Sequence, residues 1–279
     1  MSDFQIRNMT IEDLESVIRW ADQEGWDPGL TDARPFFAAD PKGFWVGELD
    51  GELVSAMSAV TYPTGISFLG FYIVVPEHRG TGVGWRLFNE VAIPMTNSQL
   101  GDAVPQQVDT YKKVGFRVLW WNARFITEAS DLPTPLTPAS NAETVDFNDL
   151  VAFDTRFALG PRPEFLREWI TGDDRTAVVT TSSSGDISGF AAVRPTSSGF
   201  RVGPLFADSA LEAEALLLTL ADGLSGPIAV DGPLPNEPAI ALYERLGMTR
   251  SFETARVLRG PDVKLTPESV FGITSLELG

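Results

Sequence analysis

Residues 68–91 read FLGFYIVVPEHRGTGVGWRLFNEV. The first third is β-branched and aromatic, as a buried strand is. A glycine-rich turn with one arginine follows, Arg79-Gly80-Thr81-Gly82-Val83-Gly84. An amphipathic run then opens, with Trp85, Leu87, Phe88 and Val91 on helical spacing. The pattern predicts a strand, a loop and a helix that begins at the loop. Several consecutive N–H groups there can converge on one spot, and the helix N-terminus adds partial positive charge, which suits a phosphate or pyrophosphate. Glycine allows positive φ and removes the Cβ that would block the approach.

The spacing is not a Walker loop, because no Gly-Lys-Ser/Thr follows. Nor is it the dinucleotide fingerprint, because Gly80, Gly82 and Gly84 leave no G-x-G-x-x-G. What remains, Arg-x-x-Gly-x-Gly after a strand ending Val74-Val75-Pro76, resembles the acetyl-CoA loop of the GNAT superfamily of N-acetyltransferases.

The flanking sequence extends that resemblance. Phe4–Arg7 reads as a strand. Thr10 with Asp13 is a weak capping box before a helix with Leu14, Val17, Ile18 and Ala21 on one face. The helix breaks at Gly25–Gly29 and restarts at Thr31 or Asp32 toward Phe36 and Phe37. Two strands, 43–49 and 52–60, flank Asp50-Gly51, a strong hairpin signal. Beyond the loop helix, 99–104 is a weak strand, 106–114 can be helical, and 116–121 and 123–126 are two closing strands. This is the element order of a GNAT domain. The segment Tyr111-Lys112-Lys113-Val114-Gly115-Phe116 looks like the superfamily's Tyr-x-x-x-Gly-Phe signature. Val104 stands where the superfamily often has an asparagine, so no role of that asparagine is carried over.

Residues 129–140, ASDLPTPLTPAS, have three prolines and no aromatic residue, and read as an extended linker. Beyond it the order of helices and strands repeats, with Tyr243–Met248 echoing Tyr111–Phe116 and Asn236 seven residues before the tyrosine. The glycine loop does not recur. Residues 206–212 read FADSALE, and Asp208, Glu212 and Glu214 would repel a pyrophosphate. The expected fold is α/β of the α+β kind: two tandem GNAT-like domains, each a mixed, mostly antiparallel sheet flanked by helices. A coenzyme-binding domain is expected over 1–128, a linker over 129–140 and a degenerate copy over 141–279. That copy is expected to shape the acceptor pocket or to mediate association, as in a homodimer, and not to bind coenzyme A. Residues 271–277 are read as a last strand of either half's sheet.

Composition sets limits. The chain has 279 residues, enough for one large or two medium domains. No stretch approaches the ~18–20 apolar residues a bilayer needs, and the N-terminus lacks a signal pattern, so a cytoplasmic protein with no membrane partner is expected. The absence of cysteine excludes disulfides, thiolate metal sites and a cysteine nucleophile. One histidine, His78, cannot build a histidine-rich metal centre, and no metal is expected; it is read as a loop residue without a chemical role. The net charge of −17 repels nucleic acid and attracts a cationic amine.

The resemblance implies direct acetyl transfer from acetyl-CoA to a primary amine of a small molecule. The alternatives are a protein or peptide amine, or a non-catalytic CoA-binding regulator. The main chain of Ile73, Val74 and Val75 is expected to pair with the pantetheine arm. Arg79 and the N–H groups of Gly80, Thr81, Gly82, Val83 and Gly84 would hold the pyrophosphate, and an N–H near Val74 would polarise the thioester carbonyl. Tyr111 would protonate the departing thiolate, a phenol of pKa ~10 against a thiol of ~8.5. The base that takes the amine's proton is sought at Asp102 or Glu24. The aromatic face of Trp26, beside Glu24 in the turn expected to cover the acceptor, is suited to an ammonium.

Overall fold

Local sequence signals set the first elements. Thr10 and Asp13 exchange the two hydrogen bonds of a capping box and start helix α1 (Ile11–Gln23), whose Leu14, Val17, Ile18 and Ala21 are buried. Asp50 and Gly51, at φ 52° and 89°, turn the chain between β2 (Phe44–Leu49) and β3 (Glu52–Thr61). The computed structural model describes residues 3–279. Its first repeat also contains β1 (Phe4–Asn8), α2 (Ala33–Ala39), β4 (Ile66–Val74), α3 (Val83–Val91), β5 (Ser98–Ala103), α4 (Val108–Lys113) and β6 (Arg117–Glu128). The second contains β7 (Ser140–Asn141), α5 (Phe147–Thr155), α6 (Pro163–Thr171), β8 (Thr176–Thr181), β9 (Ile187–Pro195) and β10 (Phe200–Ala207). It continues with α7 (Ala210–Ala221), β11 (Pro227–Pro233), α8 (Glu237–Arg245), β12 (Thr249–Arg259) and β13 (Val270–Gly272).

The strands form one sheet in the order β1-β2-β3-β4-β5-β12-β6-β11-β10-β9-β8-β7, with β13 added against β10. The order is symmetric about its centre. Each repeat donates its closing strand to the other: β12 pairs with β5, and β6 pairs with β11. The two exchanged strands pair with each other in the middle. Most pairs are antiparallel; β4–β5 and β10–β11 are parallel.

Strand alternation sends neighbouring residues to opposite faces. On one face Phe44, Val60 and Phe68 pack with α1, α2, α5 and α6 in a core shared by both repeats. Trp169 of α6 is fully buried and stacks on Phe36 of α2 at 6.0 Å, so the helices of the two repeats meet there. On the other face each repeat has its own core, α3 and α4 over Met57, Ala59 and Leu69, and α7 and α8 over Val202, Leu205 and Val230.

Three expectations change. The closing strands read at 116–121 and 123–126 are one strand, β6, because Asn122 is satisfied inside the sheet: its amide donates to Asp102 at 2.9 Å and its oxygen accepts from Trp120 at 3.0 Å. A strand over Thr249–Arg259 was not expected and is central to the sheet. Residues 271–277 are only in part a strand. Val270–Gly272 joins β10, and the chain then turns through Leu276–Leu278 onto the first repeat, where Tyr62 Oη donates to the Leu278 carbonyl at 2.8 Å.

Candidate active site

The sheet opens where β4 leaves β5. The two pair in parallel only from Ile66–Leu69 against Ser98–Gly101. A bulge then sets Phe71 and Tyr72 opposite Met57, with Phe71 at φ 47° and its ring buried against Phe36. β4 stays paired to β3 at Ile73 and Val74, while its other edge is open from Gly70 onward. Val75 N–H bonds to Val54 on the β3 side. Strand alternation therefore turns Val74 N–H to the open edge, where the Val74 carbonyl accepts from Arg79 Nε at 3.0 Å.

A cleft of about 580 Å³ follows this edge. The glycine loop forms one end. Gly82, at φ 92°, is the N-cap residue of α3 and no side chain caps the helix; space is open around the Cβ positions of both Gly80 and Gly82. A Cβ on Gly84 would stand 2.5 Å from Val74, so glycine is needed for helix and strand to meet. Thr81 closes the turn on the His78 carbonyl at 2.7 Å. This bare, uncapped helix start fits a pyrophosphate. Arg79 lies at the rim, where its guanidinium pairs with Glu24.

Tyr111 lines the cleft and its hydroxyl has no protein partner among the described residues. Its ring packs on Phe116 at 5.2 Å. Burial pushes its pKa up, and the nearby Tyr72 adds to the rise; Tyr72 itself is pushed up by burial to about 12. Both phenols therefore hold their protons across the neutral range.

The part of the cleft around Trp26 is built by both repeats. Trp26 is fixed through its carbonyl, which accepts from Arg124 of β6 at 3.1 Å. Asp27, at φ 55°, accepts from Arg201 of β10 at 2.7 Å and from both Ser198 N–H and Oγ. Arg124 and Arg201 converge on buried Asp231 of β11, with bonds of 2.8 to 3.0 Å. The loop over residues 24–29 is thus nailed to the second repeat.

Glu24, Trp26 and Asp102 all line the cleft. Asp102 is not free. Arg256 of β12 grips both its oxygens at 2.7 and 2.8 Å; burial pushes its pKa up while Arg256 and Asn122 pull it back. Burial prevails and the net shift is upward, but Arg256 occupies both oxygens, so what sets Asp102 apart is this bidentate pairing. Four residues that sequence reasoning passed over also line the cleft: Phe252 and Thr254 from β12, and Leu276 and Glu277 from the last turn. Nothing in the local sequence marks them, because the exchanged strand and the turn reach the cleft only through the tertiary fold.

The matching cleft of the second repeat is filled by its own chain. β10 and β11 pair only over Phe200–Val202 and Ile228–Val230. Beyond that point β13 pairs with β10, and Ile273 N–H bonds to Asp231 O at 2.9 Å. Asn236 donates to the Val270 carbonyl at 2.9 Å, and Tyr243, the counterpart of Tyr111, donates to Phe271 O. At the start of α7 Ser209 accepts from Glu212 N–H, so the helix start left bare in the first repeat is capped here.

Among the described residues there is no cluster of metal-ligating side chains and no helix long and apolar enough to cross a membrane.

Residues 8–116 match the acetyltransferase (GNAT) family, and residues 150–272 match an acetyltransferase (GNAT) domain. The chain is 30% identical over 273 residues to a holothin acyltransferase of Pseudoalteromonas sp. (strain SANK 73390), covering 97% of this chain and 92% of the other. It is 23% identical to an uncharacterized N-acetyltransferase, YitH, of Bacillus subtilis (strain 168), over 80% of this chain and 79% of that one. In fold it is similar to a protein from Pyrococcus horikoshii provisionally named an acetyltransferase, at a TM-score of 0.80 and 19% identity over 99% of this chain and 96% of that one. It is also similar to a tandem GNAT protein from the clavulanic acid biosynthesis pathway, at 0.62 and 16% over 94% and 100%.

Proposed function

The chain belongs to the acetyltransferase (GNAT) family and is an acyltransferase; from that premise we propose that its first repeat moves an acetyl group from acetyl-CoA directly to a primary amine of a small molecule. One observation carries the reading. The edge of β4 from Gly70 to Val74 is open beside a bare helix start, whereas the equivalent edge of the second repeat is occupied by β13. Ile73–Val75 would pair with the pantetheine arm as an added strand. The N–H groups of residues 80–84 would take the pyrophosphate, with Arg79 swinging from Glu24 to join them.

Val74 N–H, aimed into the cleft, would stabilise the negative charge that develops on the thioester oxygen. Tyr111, neutral and unpartnered, would give its proton to the leaving sulfur. The pinned loop of residues 24–29 roofs the acceptor end, which favours a small amine over a lysine presented on a protein surface. Full-length similarity to a relative named for one acceptor, holothin, supports a defined acceptor compound.

The test is titration calorimetry with acetyl-CoA on the wild type and on the double variant Gly82→Glu/Gly84→Glu, followed by thiol release with small amines and with a lysine peptide. One site per chain, lost in the variant, and turnover restricted to small amines is the expected result. Two sites would mean that β13 does not block the second cleft. Binding without thiol release on any amine would leave a CoA-binding regulator in place of an acetyltransferase.

A further inference from the structure

We propose that Glu277, carried by the turn after β13 out of the second repeat and into the first repeat's cleft, is the group that takes the proton from the acceptor amine. The proposal rests on the acyl-transfer reading above and supplies its missing base.

The placement is tight. After β13 the chain is tied to the second repeat through Thr274, whose hydroxyl accepts from Arg162 at 2.9 Å; Arg162 is itself held by Asp154 at 2.7 and 2.8 Å. Ser275 Oγ then accepts from the N–H groups of Glu277 and Leu278, and Tyr62 of the first repeat holds the Leu278 carbonyl. Between these anchors Glu277 passes over Gly70, the residue at which β4 and β5 part. A Cβ on Gly70 would lie 2.6 Å from the Glu277 carbonyl oxygen and 2.9 Å from its Cα. The glutamate thus sits at the apex of the cleft, and its residue lines the same cavity as Tyr111 and Trp26.

The other carboxylates of the cleft are differently placed: Asp102 is gripped by Arg256, and Glu24 is a partly exposed group at the Arg79 side, released only when Arg79 turns to the coenzyme. Glu277 is 4% exposed and forms no ion pair among the described residues. The charged groups that act on it are Asp32 at the start of α2, Arg194 of β9, Arg201 of β10 and Arg124 of β6. The arginines' ion pairs are with other carboxylates, Arg194 with Asp32 at 2.8 Å, Arg201 with Asp231 and Asp27, and Arg124 with Asp231, although Arg194 Nη1 and Arg201 Nε have no hydrogen-bond partner among the described residues. Burial first, then the Asp32 carboxylate, push Glu277 up to about 7, against the pull of Arg194, Arg201 and the Ser275 hydroxyl. A carboxylate in that range is deprotonated at slightly alkaline pH and is a stronger base than an exposed one.

The step balances. The neutral amine nitrogen forms its bond to the acetyl carbon and gives one proton to the Glu277 carboxylate. The C–S bond breaks with its electron pair on sulfur, which takes one proton from Tyr111. Solvent then removes the proton from Glu277 and restores that of Tyr111.

The experiment is the pH dependence of kcat/KM for the amine, read by thiol release, on the wild type, Glu277→Gln and Gly70→Ala. Calorimetry of acetyl-CoA binding is run on each. In the wild type an acid limb near pH 7 is expected. Glu277→Gln should bind acetyl-CoA as the wild type does, lose about 10²–10³-fold in kcat/KM, and lose the limb. Gly70→Ala, which displaces the turn without touching the carboxylate, should lower kcat and leave acetyl-CoA affinity in place. A Glu277→Gln enzyme with wild-type rate and an unchanged limb would overturn the assignment alone. A wild-type profile with no acid limb between pH 6 and 8 would overturn it even if the variants failed to fold. A wild type that binds acetyl-CoA but releases no thiol with any amine would instead remove the acyl-transfer reading, and Glu277 with it.

Discussion

Tyr243 donates its phenolic hydrogen to the carbonyl of Phe271 at 2.7 Å, whereas its counterpart Tyr111 has no protein partner among the described residues. The same residue at the same place in two repeats therefore performs two tasks. In one it holds down the chain that fills the cleft; in the other it faces an open cleft.

Substitution should separate the two. Tyr111→Phe is expected to lower kcat by about 10–10²-fold while acetyl-CoA affinity stays within about twofold, because only a proton donor is lost. Tyr243→Phe should leave kcat and the coenzyme stoichiometry unchanged and cost about 1–2 kcal/mol of stability, because it strips a buried carbonyl of its donor. Steady-state kinetics, calorimetry and thermal unfolding check both.

Glu277 should destabilise the folded protein at alkaline pH. Its pKa is raised on folding, from the ordinary 4.5 to about 7. The folded state then binds more protons than the unfolded state between those values, and stability falls as pH rises through the window. The loss corresponds to about 3 kcal/mol at most. Glu277→Gln should therefore be the more stable protein at pH 8, with the difference gone below about pH 4.5. Urea unfolding at the two pH values measures it.

Asp231 should behave in the opposite sense. Burial alone would raise its pKa, but Arg124 and Arg201 hold it well below the carboxylate range. A lowered folded pKa gives stability that is present above the unfolded value of ~3.9 and lost as pH falls through the folded one. Asp231→Asn leaves two buried guanidinium groups without their shared counter-charge and should cost about 3–5 kcal/mol at pH 7. Its gap to the wild type should narrow on acidification, as denaturant titrations at pH 7 and pH 3 will register.

The roof over the acceptor should be a matter of binding. Trp26→Ala removes the aromatic wall, and Asp27→Ala removes the side-chain bonds to Arg201 and Ser198, leaving the loop held through its main-chain carbonyls. Each should raise KM for the amine about tenfold with acetyl-CoA affinity preserved, if the coenzyme binds at the glycine loop as proposed. An unchanged KM in both variants would take this loop out of acceptor recognition.

Much of the first repeat could be read from local chemistry, because its signals are local: the Thr10 capping box, the Asp50-Gly51 turn, and the glycine run before α3. The missing loop at residues 206–212 likewise announced a second repeat without a bare helix start, and Ser209 caps it. The exchange of β6 and β12 was hidden for a physical reason. Alternation specifies which face a residue occupies; it does not specify which strand pairs with its edge. Asp102 looked like a free carboxylate because Arg256, its partner, lies on the strand that the reading left out. Glu277 carried no motif at all. It acquires its position from Gly70, Tyr62 and Arg162, none of which is near it in sequence.

The insertion of β12 between β5 and β6 has a consequence for how the protein is made. A ribosome delivers residues 1–128 long before residue 249 emerges, and in that interval β5 has no partner on its far edge while β6 waits for β11. Neither repeat can finish its sheet alone, so the usual order in which an N-terminal unit folds first does not apply here. The nascent first half exposes strand edges that are paired only in the finished fold. Its proposed proton acceptor arrives later still. The half that carries the glycine loop thus stays catalytically silent until the half that lacks it has been translated and docked.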